Sequence, residues 1–197
     1  MNQRELGRQR TRAALAENAI RLFHEQGYDD TTVEQIAAAA GVSERTFFLH
    51  FATKAMAAFA DHDERVESFR KRLGHGDVSV NPLPHLVSTI STGLARSNES
   101  RRIRYALLGK VSALQMEDAR TDRDYERVVA DYLLESWGVS VGTRLRANAV
   151  ANAVLGVVRA SLIAWGEDDI DPVVACSRLL GAMLCSPFDF APESPLQ

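Results

Sequence analysis

Residues 31–54 read Thr31-Thr32-Val33-Glu34-Gln35-Ile36-Ala37-Ala38-Ala39-Ala40-Gly41-Val42-Ser43-Glu44-Arg45-Thr46-Phe47-Phe48-Leu49-His50-Phe51-Ala52-Thr53-Lys54. Val33, Ile36, Ala37 and Ala40 recur at i, i+3, i+4 and i+7, which is helical spacing. Thr31 or Thr32 suits the start of that helix, with Glu34 or Gln35 three residues on to complete a capping box. Gly41 permits the left-handed backbone of a tight turn, and Ser43 caps a second helix. Helix, glycine turn, capped helix is the helix-turn-helix pattern, whose second helix is shaped for a major groove. A plain helical hairpin inside an all-α core has the same turn. Phe47 and Phe51, four apart, favour the first reading, because they anchor one side and leave Glu44, Arg45, Thr46 and His50 outside.

Outward from this stretch the chain stays helical. All six prolines lie at Pro82 or later, so none interrupts a helix in the first 81 residues. Leu15, Ala19, Leu22 and Phe23 make one apolar face, stopped by Gly27. A segment from Thr53 to Leu73, with Met56, Phe59, Val66, Phe69 and Leu73 inward, precedes a break at Gly74-His75-Gly76. Further helices are expected at Pro82–Ser97, at Glu99–Met116 (Ile103, Leu107, Val111 and Leu114 on one face) and around Tyr125–Trp137. Val141–Trp165 and Pro172–Ser186 complete an all-α fold of about nine helices. The expected organisation is a reader at 1–54, a bundle at 55–186 joined through a connecting helix at 53–73, and a loose tail at 187–197 with three prolines.

Composition excludes several classes. The 197 residues are 46% hydrophobic and 25% charged with net charge −3, which is ordinary globular composition without a global field for a polyanion. Two cysteines, Cys176 and Cys185, make no disulfide scaffold. No signal-peptide core and no run of about 20 apolar residues is evident, so a cytoplasmic protein without a membrane partner is expected. The five histidines form no His-x-x-x-His pair, the cysteines are out of phase on a helix, and no nucleophile elbow or phosphate-binding glycine loop occurs. No catalytic residue, metal site or cofactor is therefore assigned.

The run Thr32-Val33-x-x-Ile36-Ala37-x-x-Ala40-Gly41-Val42-Ser43, then Thr46-Phe47-Phe48-x-x-Phe51-x-x-Lys54, resembles the DNA-binding domain of TetR-type transcriptional regulators. Leu22-Phe23-x-x-x-Gly27-Tyr28 matches the end of that family's first helix. The resemblance implies an all-α homodimer with a three-helix reader and a ligand-sensing C-terminal bundle. Phe48 stands where the family usually has a phosphate-touching tyrosine; it lies on the reader surface but is expected to pack rather than bond. Arg45-Thr46-Phe47-Phe48 is similar to a subgroup that includes the mycofactocin regulator, which makes an acyl-CoA one candidate effector.

On DNA, Thr32, Ser43, His50 and Lys54 are expected to position the backbone, while Glu44, Arg45 and Thr46 line the base-facing side. Arg45 is the specificity residue, because its fork matches the two acceptors of a guanine; pairing with Glu44 or a phosphate is the alternative. Residues 1–54 are charge-neutral, but the first twelve hold Arg4, Arg8, Arg10 and Arg12 against Glu5. That arm either touches phosphates, Arg10 included, or is a solvated disordered tail.

The bundle offers a pairing surface and a sensor. Ala149, Ala153, Gly156 and Ala160 form a small-residue stripe beside Val150, Val154, Val157, Ser161 and Trp165. With the last helix, which carries Val173, Leu180 and Leu184 on one side and Leu179 and Met183 on another, the stripe suggests an intermolecular four-helix bundle, against the alternative of a monomeric core. Tyr105, Leu108, Met116, Tyr132, Trp137 and Trp165 are bulky walls for a small hydrophobic or amphipathic effector, or simply core. Asn148 and Asn152, with Arg144 and Arg159, either orient a polar ligand head or face solvent. Arg101, Arg102 and Arg104 read as a solvated basic face, or as a partner for an acidic group such as a CoA phosphate.

The function expected is a ligand-responsive repressor that binds a palindromic operator as a dimer. The alternatives are a DNA-binding protein without an effector, acting architecturally or through a protein partner, and a helical protein-interaction module. Activation in place of repression fits the same sequence.

Overall fold

A computed structural model describes residues 3–74 and 81–185, and every regular element among them is an α-helix. In chain order these are α1 (Gln3–Gln26), α2 (Val33–Ala39), α3 (Glu44–His50), α4 (Lys54–Ala57), α5 (His62–Leu73), α6 (Pro82–Leu94), α7 (Glu99–Leu108), α8 (Ser112–Trp137), α9 (Val141–Asp168) and α10 (Pro172–Cys185). His75, Gly76, Ser186 and the tail lie outside the described residues.

The all-α expectation is met, with breaks where apolar spacing did not show them. The expected 53–73 helix is two, because Ala57, Ala58 and Phe59 are all buried. Three consecutive residues sweep about 200° around a helix, too wide for one packed face. The chain turns there, with the N–H groups of Ala58, Phe59 and Ala60 each bonding a carbonyl three residues back. Between α7 and α8 the break falls at Gly109, earlier than expected, and α8 then runs unbroken through the polar stretch around Asp118 and Thr121, both buried. Of Ile103, Leu107, Val111 and Leu114 only Leu114 is fully buried; α7 turns Arg104, Tyr105 and Leu108 inward.

The helices form two compact units, Met1–Asp63 with Asn98–Ala119, and Glu64–Ser97 with Arg120–Gln197. By this division α4, α7 and the start of α8 group with the helices of the reader. The first unit's core is built on Leu15, Ala19, Phe23, Ile36, Ala37, Phe47 and Phe51. Leu86, Val129, Leu133, Ala147, Ala151, Val154, Leu162, Cys176 and Leu180 fill the second. Burial pushes the Cys176 thiol up to about 11, partly offset by its hydrogen bond with Ser161, so it is an inert core group.

Arg104 corrects the expectation of a solvated basic face. It is 2% exposed, and its Nη1 donates to the Ala58 carbonyl at 2.5 Å and to Asp61 Oδ1 at 3.1 Å. Its guanidinium carbon lies 4.9 Å from the Phe59 ring centroid and 5.6 Å from that of Tyr105. A cation on α7 thus holds the turn that follows α4.

Helix α9 is long and apolar enough to cross a membrane by length and composition alone, a test that core helices also pass. The Ala-, Val- and Gly-rich stretch between Arg146 and Arg159 raises its hydropathy.

Candidate nucleic-acid interface

The reader is assembled from local signals. Thr32 Oγ1 accepts from Gln35 N–H at 3.1 Å while Gln35 Oε1 accepts from Thr32 N–H at 2.9 Å, a complete capping box that selects Thr32 and Gln35 from the alternatives. Thr31 is buried and donates to the Gly27 carbonyl at 2.7 Å. Gly41, at φ +70°, turns the chain after α2, and Val42 N–H closes onto the Ala37 carbonyl at 2.9 Å. Ser43 Oγ accepts from Thr46 N–H at 3.2 Å and starts α3.

The orientation of α3 follows from its phenylalanines. Phe47 is 0% and Phe51 2% exposed, with ring centroids 5.6 Å apart. Ser43, Glu44 and Arg45 consequently stand in solvent, and Thr46 is half-buried with its hydroxyl 3.0 Å from that of Ser43. Phe48 does not pack away as expected. It is 54% exposed and touches Phe47 edge-on, because a residue next to the buried one points about 100° around the helix.

Two cations expected to meet phosphate, Lys54 and Arg12, bond to carbonyls inside the reader. Lys54 Nζ donates to the carbonyls of Tyr28 at 2.6 Å and Thr31 at 2.8 Å, and sits 4.3 Å from the Tyr28 ring centroid. The ammonium that was expected on a phosphate therefore closes the α1–α2 loop onto α4. Burial, then the charge of Asp29, raises the pKa of Tyr28. His50 is half-buried, and burial followed by repulsion from Arg8 and Arg12 lowers its pKa, so it is uncharged at neutral pH. Arg12, from the arm, donates to the His50 carbonyl at 3.0 Å and lies 4.5 Å from the Phe51 ring centroid. The arm itself is helical, since α1 begins at Gln3, and Arg8 and Arg10 are exposed on it.

A polar edge on a short capped helix, backed by buried phenylalanines behind a glycine turn, is the geometry of a major-groove reader. Residues 15–56 match the model of bacterial regulatory proteins of the tetR family, and residues 83–186 match the MftR C-terminal domain. The chain belongs to the TetR family of bacterial regulatory proteins. It is 36% identical over 136 residues to the HTH-type transcriptional regulator TcmR of Streptomyces glaucescens, a match covering 69% of this chain and 57% of TcmR. It is 24% identical over 172 residues to a protein named as a mycofactocin biosynthesis transcriptional regulator, MftR of Mycobacterium tuberculosis, covering 85% and 84% of the two chains. A structure of Thermus thermophilus FadR, a TetR-family repressor in complex with lauroyl-CoA, superposes with a TM-score of 0.59 at 20% identity, covering 94% of this chain and 98% of that one.

In this TetR-family chain the expected sensor residues take different settings, each described within its own unit. Tyr105 and Leu108 are core residues of the first unit, Tyr105 donating to Asp118 Oδ1 at 3.4 Å. Met116, expected as a wall, is 70% exposed. In the second unit Tyr132 is buried and donates to the Pro82 carbonyl at 3.2 Å. Trp137 is half-buried, with the Arg146 guanidinium 4.2 Å from its ring centroid, and Trp165 is also half-buried. Asn148 and Asn152 are exposed and donate to carbonyls one turn back at 2.9 Å, so they face outward, while Arg159 is bonded to Asp122.

The small-residue stripe of α9 lies on the outside of its unit. Ala149, Ala153, Gly156 and Ala160 are all exposed along α9, opposite the buried Ala147, Ala151, Val154 and Leu162. On α10 the expected side is corrected. Leu180 is 0% exposed and belongs to the core, Val173 and Leu184 are half-buried, and the outward apolar residues are Val174 and Leu179. Sequence placed Arg12 in the basic arm, Tyr28 in the family motif and Arg104 in a basic cluster, but gave none of them its internal partner. The only signal for Arg104 was its phase with Tyr105 and Leu108 on one helix face.

Proposed function

We propose that this TetR-family regulator binds a palindromic operator in double-stranded DNA as a homodimer, and that a small amphipathic effector received by the second unit releases the DNA. The observation that carries the reading is the solvent-facing Ser43-Glu44-Arg45 edge of α3, held by fully buried Phe47 and Phe51. Arg45 reads a guanine, Thr32, Ser43 and Thr46 flank it, and Phe48 lies along the sugar-phosphate surface. Arg8 and Arg10 supply the phosphate charge that Lys54 and His50 do not. Pairing runs through the exposed small-residue stripe of α9 with Val174 and Leu179 of α10. Small side chains let two helices approach closely, and uncovered apolar surface is the ordinary mark of an interface.

An acyl-CoA is the first effector to test, because the Thermus FadR repressor of the same fold was solved with lauroyl-CoA. The expected mode is repression in the cytoplasm. A second reading, DNA binding without an effector, draws on the dispersal of the expected sensor residues over two cores and the surface.

Selection of bound duplexes from a random pool should recover an inverted repeat with half-sites about one helical turn apart. Arg45→Ala should cost about 1–3 kcal/mol at one base position in each half-site and flatten preference there. An equal loss on all sequences would make Arg45 a phosphate contact. Ala153→Arg should convert the dimer to monomer in light scattering and abolish palindrome binding, with the melting transition kept; a dimer that persists removes the α9 stripe from the interface.

A further inference from the structure

Within the second unit, α5 and α6 border an open cleft of about 340 Å³ lined by Lys71, Arg72, His85, Ser88, Thr89 and Thr92. Among these lining residues are two cations, Lys71 and Arg72, and no carboxylate, while the Thr92 hydroxyl donates to the Ser88 carbonyl at 2.9 Å. Ser88 and Thr89 lie one turn and Thr92 two turns beyond His85 on α6, and Lys71 and Arg72 close α5.

The Arg72 guanidinium is only partly satisfied. Nη1 donates to Ser68 Oγ at 2.6 Å, while Nε is buried without a hydrogen-bond partner. A side chain at Gly93 would come within 3.3 Å of Nη2, so this glycine makes room for the guanidinium against α6. Among the described ion pairs Lys71 has Glu67 at 3.6 Å, and none includes Arg72 or Arg96. Burial, then repulsion from Arg96, lowers the pKa of Arg72, with Tyr125 acting in the opposite direction. His85 Nε2 lies 3.2 Å from the carbonyls of Arg72 and Leu73, which ties the end of α5 to α6 and sets the spacing of the cleft.

We propose that this cleft is a binding site for the phosphate group of a small molecule, with Arg72 and Lys71 as its cationic donors and Ser88 as a hydroxyl donor. Two cations on a cleft that no carboxylate lines are complementary to an anion with several acceptor oxygens. A phosphate offers the Arg72 fork and the Lys71 ammonium more acceptor oxygens than a carboxylate does. The proposal deepens the effector reading and rests on it, since the phosphate would be the polar end of the molecule that the second unit receives.

Inorganic pyrophosphate, titrated calorimetrically into the full chain at constant ionic strength, is the probe. Saturable binding in the millimolar range or tighter is expected, weakened at least tenfold in Arg72→Gln and also in Lys71→Gln, which guards against a folding defect in either variant. Absence of saturable binding, or equal binding by both variants, overturns the site. A lauroyl-CoA titration of preformed operator complex separates the two ideas. Release that is equally sensitive in wild type and Arg72→Gln overturns the phosphate site and keeps the effector reading. Arg72-dependent pyrophosphate binding without release by lauroyl-CoA keeps the site and removes that effector.

Discussion

Phe47→Ala should cost about 3–5 kcal/mol, the usual loss for truncating a buried phenylalanine to alanine. Phe47 is fully buried and contacts both Phe51 and Phe48, so the variant opens a void directly behind the reading edge. Domain stabilities are only about 5–15 kcal/mol, so the reader should be largely disordered near its melting point and fail to retard any duplex. Urea denaturation followed by far-ultraviolet circular dichroism measures the loss. Phe48→Ala is the control: with its ring 54% exposed it should lose no more than the edge-on contact, about 0.5–1.5 kcal/mol. Equal losses in the two variants would mean that α3 is rotated from the orientation described.

Arg104→Ala should be the most damaging change outside the apolar core, at about 2–4 kcal/mol. Most of this comes from the Ala58 carbonyl, whose residue is 2% exposed and which would lose its guanidinium donor. An unsatisfied buried polar group costs about 1–3 kcal/mol, and the void left by the side chain adds to it. The charge pair contributes little, because the Asp61 side chain is 49% exposed and screened. Asp61→Ala should therefore cost less than about 1 kcal/mol, and Arg104→Lys should not restore stability, since an ammonium does not stack as a planar fork does. Thermal denaturation of the three variants separates these contributions. If Asp61→Ala proves as harmful as Arg104→Ala, the ion pair rather than the carbonyl carries the effect.

These two residues differ in how visible they were. Phe47 announced itself, because an i, i+4 phenylalanine pair after a Gly-x-Ser turn has one sensible packing. Arg104 did not, since an arginine beside Arg101 and Arg102 reads as solvated until a carbonyl from a turn 46 residues earlier is placed against it. Lys54 was mistaken for the same kind of reason. Its charge and its place before a helix suggest a phosphate, but its ammonium meets backbone carbonyls near Tyr28, more than twenty residues away in the chain. Leu180 shows the limit for apolar positions: spacing says that two faces of α10 are hydrophobic, not which one a neighbouring helix covers.

Short-range order was thus written in the chain: the caps at Thr32 and Ser43, the turn at Gly41, the helical class, and the family motif at 31–54. Such features depend on hydrogen bonds and backbone freedom within about four residues, so local spelling suffices to specify them. Tertiary structure decided which cations meet solvent and which meet carbonyls, where Arg72 lies against Gly93, which face of α10 is core, and that α7 joins the reader. Each of those depends on a partner distant in sequence, and a charged or apolar side chain has the same spelling whether its partner is water or protein.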